Sequence, residues 1–153
     1  MSDTTPLRAP LTIEYPFTRT VGPVQSAFLT GLREGIVLGI RRSDGTVLVP
    51  PVEYDPATAE ELRELVDVST SGTVTSWAWE PAPDPRQPLD RPFAWALIRL
   101  DGADTSMLHV VDAGDIDAIR TGARVQIRWA EEREGAITDI ACFDLVPSEG
   151  EDR

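Results

Sequence analysis

Chemistry in this chain would have to come from few side chains, because its 153 residues include one cysteine, Cys142, and one histidine, His109. Cys142 lies between Ala141 and Phe143 in a strand-like stretch, where a thiol reads as a buried structural group and not a nucleophile. His109 sits in the apolar run MLHVV and reads as a satisfied strand residue, not a general base. There is no Gly-x-Ser-x-Gly elbow and no glycine loop to cradle phosphate. Asp101, Asp104, Asp112, Asp115 and Asp117 crowd loops as solvated acids, with no glycosidase-like pair among them. No catalytic residue is assigned. A zinc ribbon would suit the hairpin, Pro-Pro break and second turn over residues 36–58, but zinc there needs four soft or borderline ligands in tetrahedral geometry. The turns offer Arg41, Arg42, Ser43 and Asp44, then Tyr54, Asp55, Pro56, Ala57 and Thr58. That set does not hold zinc, so no metal or other cofactor is expected.

The stretch SWAWEPAPDPRQPLDRPFAWALIRL is the most unusual part of the chain. Trp77 and Trp79 share a strand face, and Trp95 follows on the next strand. The loop between carries Pro81, Pro83, Pro85, Pro88 and Pro92 with Arg86 and Arg91. Two readings stay open: tryptophans that fill a barrel beneath a stiffened loop, or an interface built from Trp and Arg on a pre-ordered loop. The interface reading names Trp77, Trp79 and Trp95.

Composition narrows the function classes. Hydrophobic residues make up 41% of the chain and charged residues 26%, enough for one globular core. No run of ~18 apolar residues occurs, and MSDTTPLRAPLTIEYPF lacks a charged region followed by an apolar stretch. A cytoplasmic protein is expected. A lone cysteine excludes an internal disulfide framework. With 26 acids against 14 bases, all arginine, the net charge is −12. Such a field repels a phosphate backbone, so neither nucleic acid nor membrane is expected as a partner.

These residues need elements to hold them. Residues 1–14 read as a disordered N-terminus and 147–153 as an acidic tail. Pro23 opens a helix whose Val24, Phe28, Leu29 and Leu32 fall on one face, and Gly35 closes it. Periodicity gives that face but not what covers it, so Phe28 and Leu32 are candidates for a partner interface. Two apolar runs flank Ser43-Asp44-Gly45, a hairpin signal. Beyond the prolines, Asp55-Pro56 with Glu60 and Glu61 reads as an N-cap and acidic first turn, giving a helix near Ala57–Leu65; Leu65–Val68 equally suits a strand. Five strand-like stretches follow: Gly72–Glu80, Phe93–Leu100, Ser106–Val111, Arg124–Glu132 and Ala136–Leu145. A short helix, Asp115–Arg120, falls between the third and fourth. Five strands with a helix in that place is the order of an OB-fold barrel.

The stretches PFTRTVGPVQSAFLTGLREG, GIRRSDGTVLVPPVEYDP, SGTVTSWAWE, PLDRPFAWALIRLDGADTSMLHVVDA and ITDIACF, in this order, resemble the family catalogued as domain of unknown function 35. The resemblance covers residues 15–146. It implies a mainly β protein: an N-terminal helix and rubredoxin-like ribbon over 15–68, then an OB-fold domain over 69–146. The family's ribbon carries two Cys-x-x-Cys knuckles, which here fall on Arg41 and Asp44 and on Asp55 and Thr58. The ribbon is therefore expected to be degenerate and zinc-free. In place of the helix near Ala57–Leu65, the resemblance implies coil leading into a strand.

By the same resemblance the chain is a non-catalytic accessory subunit in a hetero-oligomer with a thiolase-fold aldolase or thiolase. Metal-less members look similar to those accompanying steroid side-chain aldolases. The barrel would stabilise the large subunit and help wall its CoA channel, with Arg86, Arg91 and Arg99 as candidates for the CoA phosphates. Arginines in so acidic a chain also serve as partners for its own carboxylates, and that reading stays beside the first. Two other classes are weighed: an OB-fold binder of single-stranded nucleic acid, which the charge disfavours, and a small independent CoA-ester enzyme using His109 or an acid.

Overall fold

The structure, a computed structural model, describes residues 9–147. Residues 1–8 of the expected N-terminal tail and 148–153 of the acidic tail lie outside the described residues. Residues 9–22 run without regular secondary structure into helix α1, Pro23–Glu34. Proline suits the first helical position, where its missing N–H would have no intrahelical partner. Gly22 precedes it without a side-chain cap. The cap comes from elsewhere in the chain: the Gln25 N–H donates to Glu53 Oε1 at 3.0 Å. A Cβ on Gly22 would meet that oxygen at 2.2 Å, so glycine is what lets the carboxylate reach the helix N-terminus. At the other end Gly35 takes φ +78°, and the Ile36 and Gly35 N–H groups close on Gly31 and Leu32 carbonyls. This is the left-handed stop expected of glycine.

The apolar face of α1 covers its own chain. Phe28 and Leu32 are 2% and 0% exposed, in one cluster with Val37, Val47, Val68 and the barrel residues Val74, Ile127, Ile140 and Phe143. A partner interface on Phe28 and Leu32 is thereby corrected: both are spent in the core. Beside the helix lies a three-stranded sheet, β2 (Val47–Leu48), β1 (Val37–Arg41) and β3 (Glu64–Val68), in that order and antiparallel. The Asp-Gly turn joins β1 to β2 as the hairpin signal requires, with the Arg42 N–H donating to the Thr46 carbonyl at 2.8 Å.

The expected helix near Ala57–Leu65 is absent. Asp55 does act as a cap, its Oδ1 accepting the Ala57 N–H at 2.7 Å, and one turn closes from the Ala59 N–H to the Asp55 carbonyl. Ala59 then adopts φ +61°, which ends helical propagation. The chain reverses and enters β3. An Asx turn and a helix N-cap use the same residues, and the short-range pattern cannot separate them.

Strands β4 (Ser71–Glu80), β5 (Phe93–Leu100), β6 (Met107–Asp112), β7 (Arg124–Trp129) and β8 (Ile140–Leu145) close a barrel in the order β4-β5-β6-β8-β7. Only β6 and β8 run parallel, and they pair just at Val111–Phe143 and Asp112–Asp144. That is the OB-fold connectivity. The helix expected over Asp115–Arg120 is a single 3-10 turn, Ile116–Ala118, capped by the Asp115 carboxylate. No helix among the described residues is long and apolar enough to cross a membrane.

Candidate partner interface

A bulge in β4 between Val74 and Ser76 decides where two tryptophans go. Gly72 and Val74 point into the barrel, and the extra residue shifts the alternation so that Trp77 and Trp79 continue inward. They pair with Ala96 and Ala94, both buried, and pack half-buried on the main core. The small alanines make room for the indoles. Trp95, between those alanines, faces outward, edge-on to Phe93 at 5.4 Å between ring centroids, in a separate cluster with Val110, Cys142 and Leu89. The three tryptophans named from the sequence thus lie on two opposite faces of one sheet.

The outer face carries an apolar opening. Below their short parallel pairing, β6 and β8 diverge. The gap is a groove of about 430 Å³ lined by Leu89, Trp95, Leu108, His109, Ile137 and Ile140 among others. Leu108 is 62% exposed and Ile137 44%, and Leu97, on the same face of β5, is 41% exposed. His109 stands edge-on to Phe143 at 5.5 Å. Its Nδ1 is buried and has no hydrogen-bond partner among the described residues. Burial lowers its pKa below the ordinary 6.5, against weaker opposing hydrogen bonds to backbone at Val110 and Ile137. The ring is therefore held neutral. Leu97, Leu108 and Ile137 were not named from the sequence, since the groove arises from where two strands distant in sequence part company.

The arginines divide. Arg86 is forked onto Asp84, with Nε to Oδ1 at 2.8 Å, and Arg91 binds Asp112. Arg128 joins the latter pair, linking Asp112 to Asp144. Burial raises the Asp112 pKa, but hydrogen bonds from Arg91 and Arg128 overcome it, so the carboxylate stays ionised. Asp112, Asp144 and Cys142 approach closely enough to suggest a metal site. The two arginines already neutralise those carboxylates, and burial raises the Cys142 thiol pKa, so the set does not suit a cation. Arg99, on the outer face of β5 two residues beyond Leu97, makes no ion pair among the described residues.

The four positions aligned with zinc ligands do not fit zinc either. The Arg42 guanidinium lies between the two turns, with Nη1 at 3.0 Å from Asp44 and Nε at 2.8 Å from Asp55 Oδ2. Asp55, 2% exposed, also accepts from Arg42 Nη2 and from the Ala57 and Thr58 N–H groups. Its oxygens are saturated by donors. Arg41 turns instead to Glu64, at 3.0 Å.

Residues 65–130 match the family model described as ChsH2, C-terminal OB-fold domain. Over that stretch the barrel is similar to the ChsH2 C-terminal OB-fold domain. Two solved structures share the fold over a larger part of the chain. One, a protein of unknown function from the DUF35 family of Sulfolobus solfataricus, aligns with TM-score 0.57 and 23% identity over 69% of this chain and 78% of that one. The other, titled Ltp2-ChsH2(DUF35) aldolase, aligns with TM-score 0.59 and 16% identity over 85% of this chain and 98% of that one. No curated protein matches the sequence.

Proposed function

We propose that this chain is the non-catalytic accessory subunit of an aldolase complex whose catalytic partner is a thiolase-fold protein acting on an acyl-CoA. The observation that carries the reading is the alignment of 85% of this chain with 98% of a chain from the Ltp2-ChsH2(DUF35) aldolase. The match of residues 65–130 to the ChsH2 OB-fold model supports it. So does the use of the reactive residue types: Cys142 is buried, and His109 is held neutral against Phe143. Steroid side-chain degradation, a cytoplasmic setting and a zinc-free ribbon complete the proposal.

In this reading the large subunit seats on the outer face of β5 and β6, the face on which OB-folds bind ligands. Trp95 and Leu108 are its apolar anchors. Arg99 is the one sequence-named arginine left to meet a CoA phosphate, since Arg86 and Arg91 are engaged internally. Co-expression with the thiolase-fold subunit tests the proposal. The large subunit should gain solubility or aldolase activity with this chain, and Leu108→Asp should weaken co-purification about tenfold or more. A large subunit fully active and soluble alone would overturn the reading.

A further inference from the structure

Upstream of α1 the chain shows a pattern that nothing in the fold uses. Leu11, Ile13, Tyr15 and Phe17 alternate with Thr12, Glu14 and Pro16, the period of a strand with one apolar face. All four apolar side chains lie in solvent, at 83%, 62%, 77% and 82% exposure. No backbone hydrogen bond links residues 9–20 to any other described residue. Four large exposed apolar groups at every second position of an unpaired segment are surface without a mate.

The prolines add direction. In a strand, N–H and C=O groups alternate between the two edges with the same parity as the side chains. Pro10 and Pro16 occupy even positions, so the missing N–H groups fall on one edge. The odd edge keeps every donor from Leu11 to Phe17. One edge can join a ladder, and the other is blunted by proline in the way natural sheets guard exposed strands.

We propose that residues 11–17 form an arm that adds as a strand to an open sheet edge of the thiolase-fold partner. Leu11, Ile13, Tyr15 and Phe17 then enter an apolar trough beside that edge. The inference rests on the accessory-subunit reading, and it names a second attachment independent of the barrel face. A second copy of this chain is disfavoured as the occupant, because each copy carries −12 and like charge opposes association. The arm itself carries only one charge, Glu14, and Arg19 just beyond it balances that charge over residues 9–22.

Proline parity gives the test. The affinity-tagged full-length chain and its variants are expressed in the native host, and captured proteins are identified and quantified by mass spectrometry. Thr12→Pro and Glu14→Pro remove donors from the edge already blunted and should capture the thiolase-fold subunit as the natural chain does. Ile13→Pro removes a donor from the intact edge and should reduce capture about tenfold or more. Ile13→Ala, which keeps the donor, should lie between. Thermal midpoints should be equal for all, because the arm lies outside the core. Equal capture by Ile13→Pro and the natural chain overturns the arm while leaving the accessory reading intact. Failure of the natural chain to capture any thiolase-fold subunit overturns both. Self-association of the natural chain that Ile13→Pro abolishes would move the arm onto a second copy and overturn the assignment to a different partner.

Discussion

Arg42 joins two turns that the sequence separates by 13 residues, the task a zinc ion performs when four soft ligands are present. The hydrogen bond from Arg42 is the main reason the Asp55 carboxyl is held at about 2 against an ordinary 3.8; the Ala57 N–H assists, and burial opposes. A carboxyl whose folded pKa is depressed contributes stability that is complete above its unfolded pKa and lost as pH falls through the folded one. The clasp should therefore hold above about pH 4 and fail toward pH 2. Acid titration followed by circular dichroism should show a steeper loss in that window for the natural chain than for Asp55→Asn. Arg42→Met leaves the Asp55 carboxylate buried beside the Ala57 and Thr58 N–H groups without its cation, and should lower the thermal midpoint by about 5–10 °C. Added zinc should not restore it, because neither turn supplies a sulfur or an imidazole. His109 acts at higher pH and with the opposite chemistry. Its folded pKa is lowered, so protonation opposes the fold, and stability should fall as pH drops below about 6.5. His109→Gln should flatten that slope between pH 7 and 5 in denaturant titrations. An unchanged slope would place the proton elsewhere.

Helix α1 shows how an element depends on residues far from it. Its N-terminus is served by Glu53, and its C-terminus by Gly35 and by Arg133, whose Nε donates to the Arg33 carbonyl at 2.9 Å. Gly22→Ala should displace Glu53 and cost about 1 kcal/mol, the scale of a lost N-cap. Glu53→Gln should cost less, since an amide oxygen still accepts the Gln25 N–H. Comparing the two by urea denaturation separates the steric demand at Gly22 from the charge at Glu53. The helix, the Asp-Gly hairpin and the five barrel strands were legible because each has a local signature: Pro at N1, glycine at the stop, or alternation of period two. What failed was whatever local pattern leaves open. Asp55 capped a turn that Ala59 then closed, and the helix face named Phe28 and Leu32 without naming what they cover. The single-residue shift at the β4 bulge sent Trp77 and Trp79 inward while Trp95 stayed out. The groove at Leu108 and Ile137 was illegible because it depends on two strands pairing for only two residues.

At the scale of the whole molecule, the boundary placed at residue 68 divides a core that is continuous. Phe28, Leu32, Val37 and Val47 pack in one cluster with Ile98, Val125, Ile127 and Phe143 across it. The β5–β6 loop reinforces this seam. The Asp104 carboxylate accepts the Val47 N–H at 2.8 Å, and Thr105 Oγ1 both accepts from Val49 N–H and donates to its carbonyl, at 2.8 and 3.0 Å. Those bonds also cover the free edge of β2 with backbone and side chains of the barrel loop, leaving no ladder there for another chain to extend. Shared apolar burial and a sealed edge predict that the helix, sheet and barrel unfold as one cooperative unit. The chain carries its own reporter for this. All four tryptophans, Trp77, Trp79, Trp95 and Trp129, belong to barrel strands, and none lies in the helix or the three-stranded sheet. Tryptophan emission thus follows the barrel even when the substitution is made outside it. Phe28→Ala, which empties a buried site on α1, should cost about 3–5 kcal/mol. If the core is shared, the tryptophan transition should move by that full amount and coincide with the loss of far-ultraviolet ellipticity. Were the two parts independent, the helix signal would melt early and tryptophan emission would stay where it is in the natural chain.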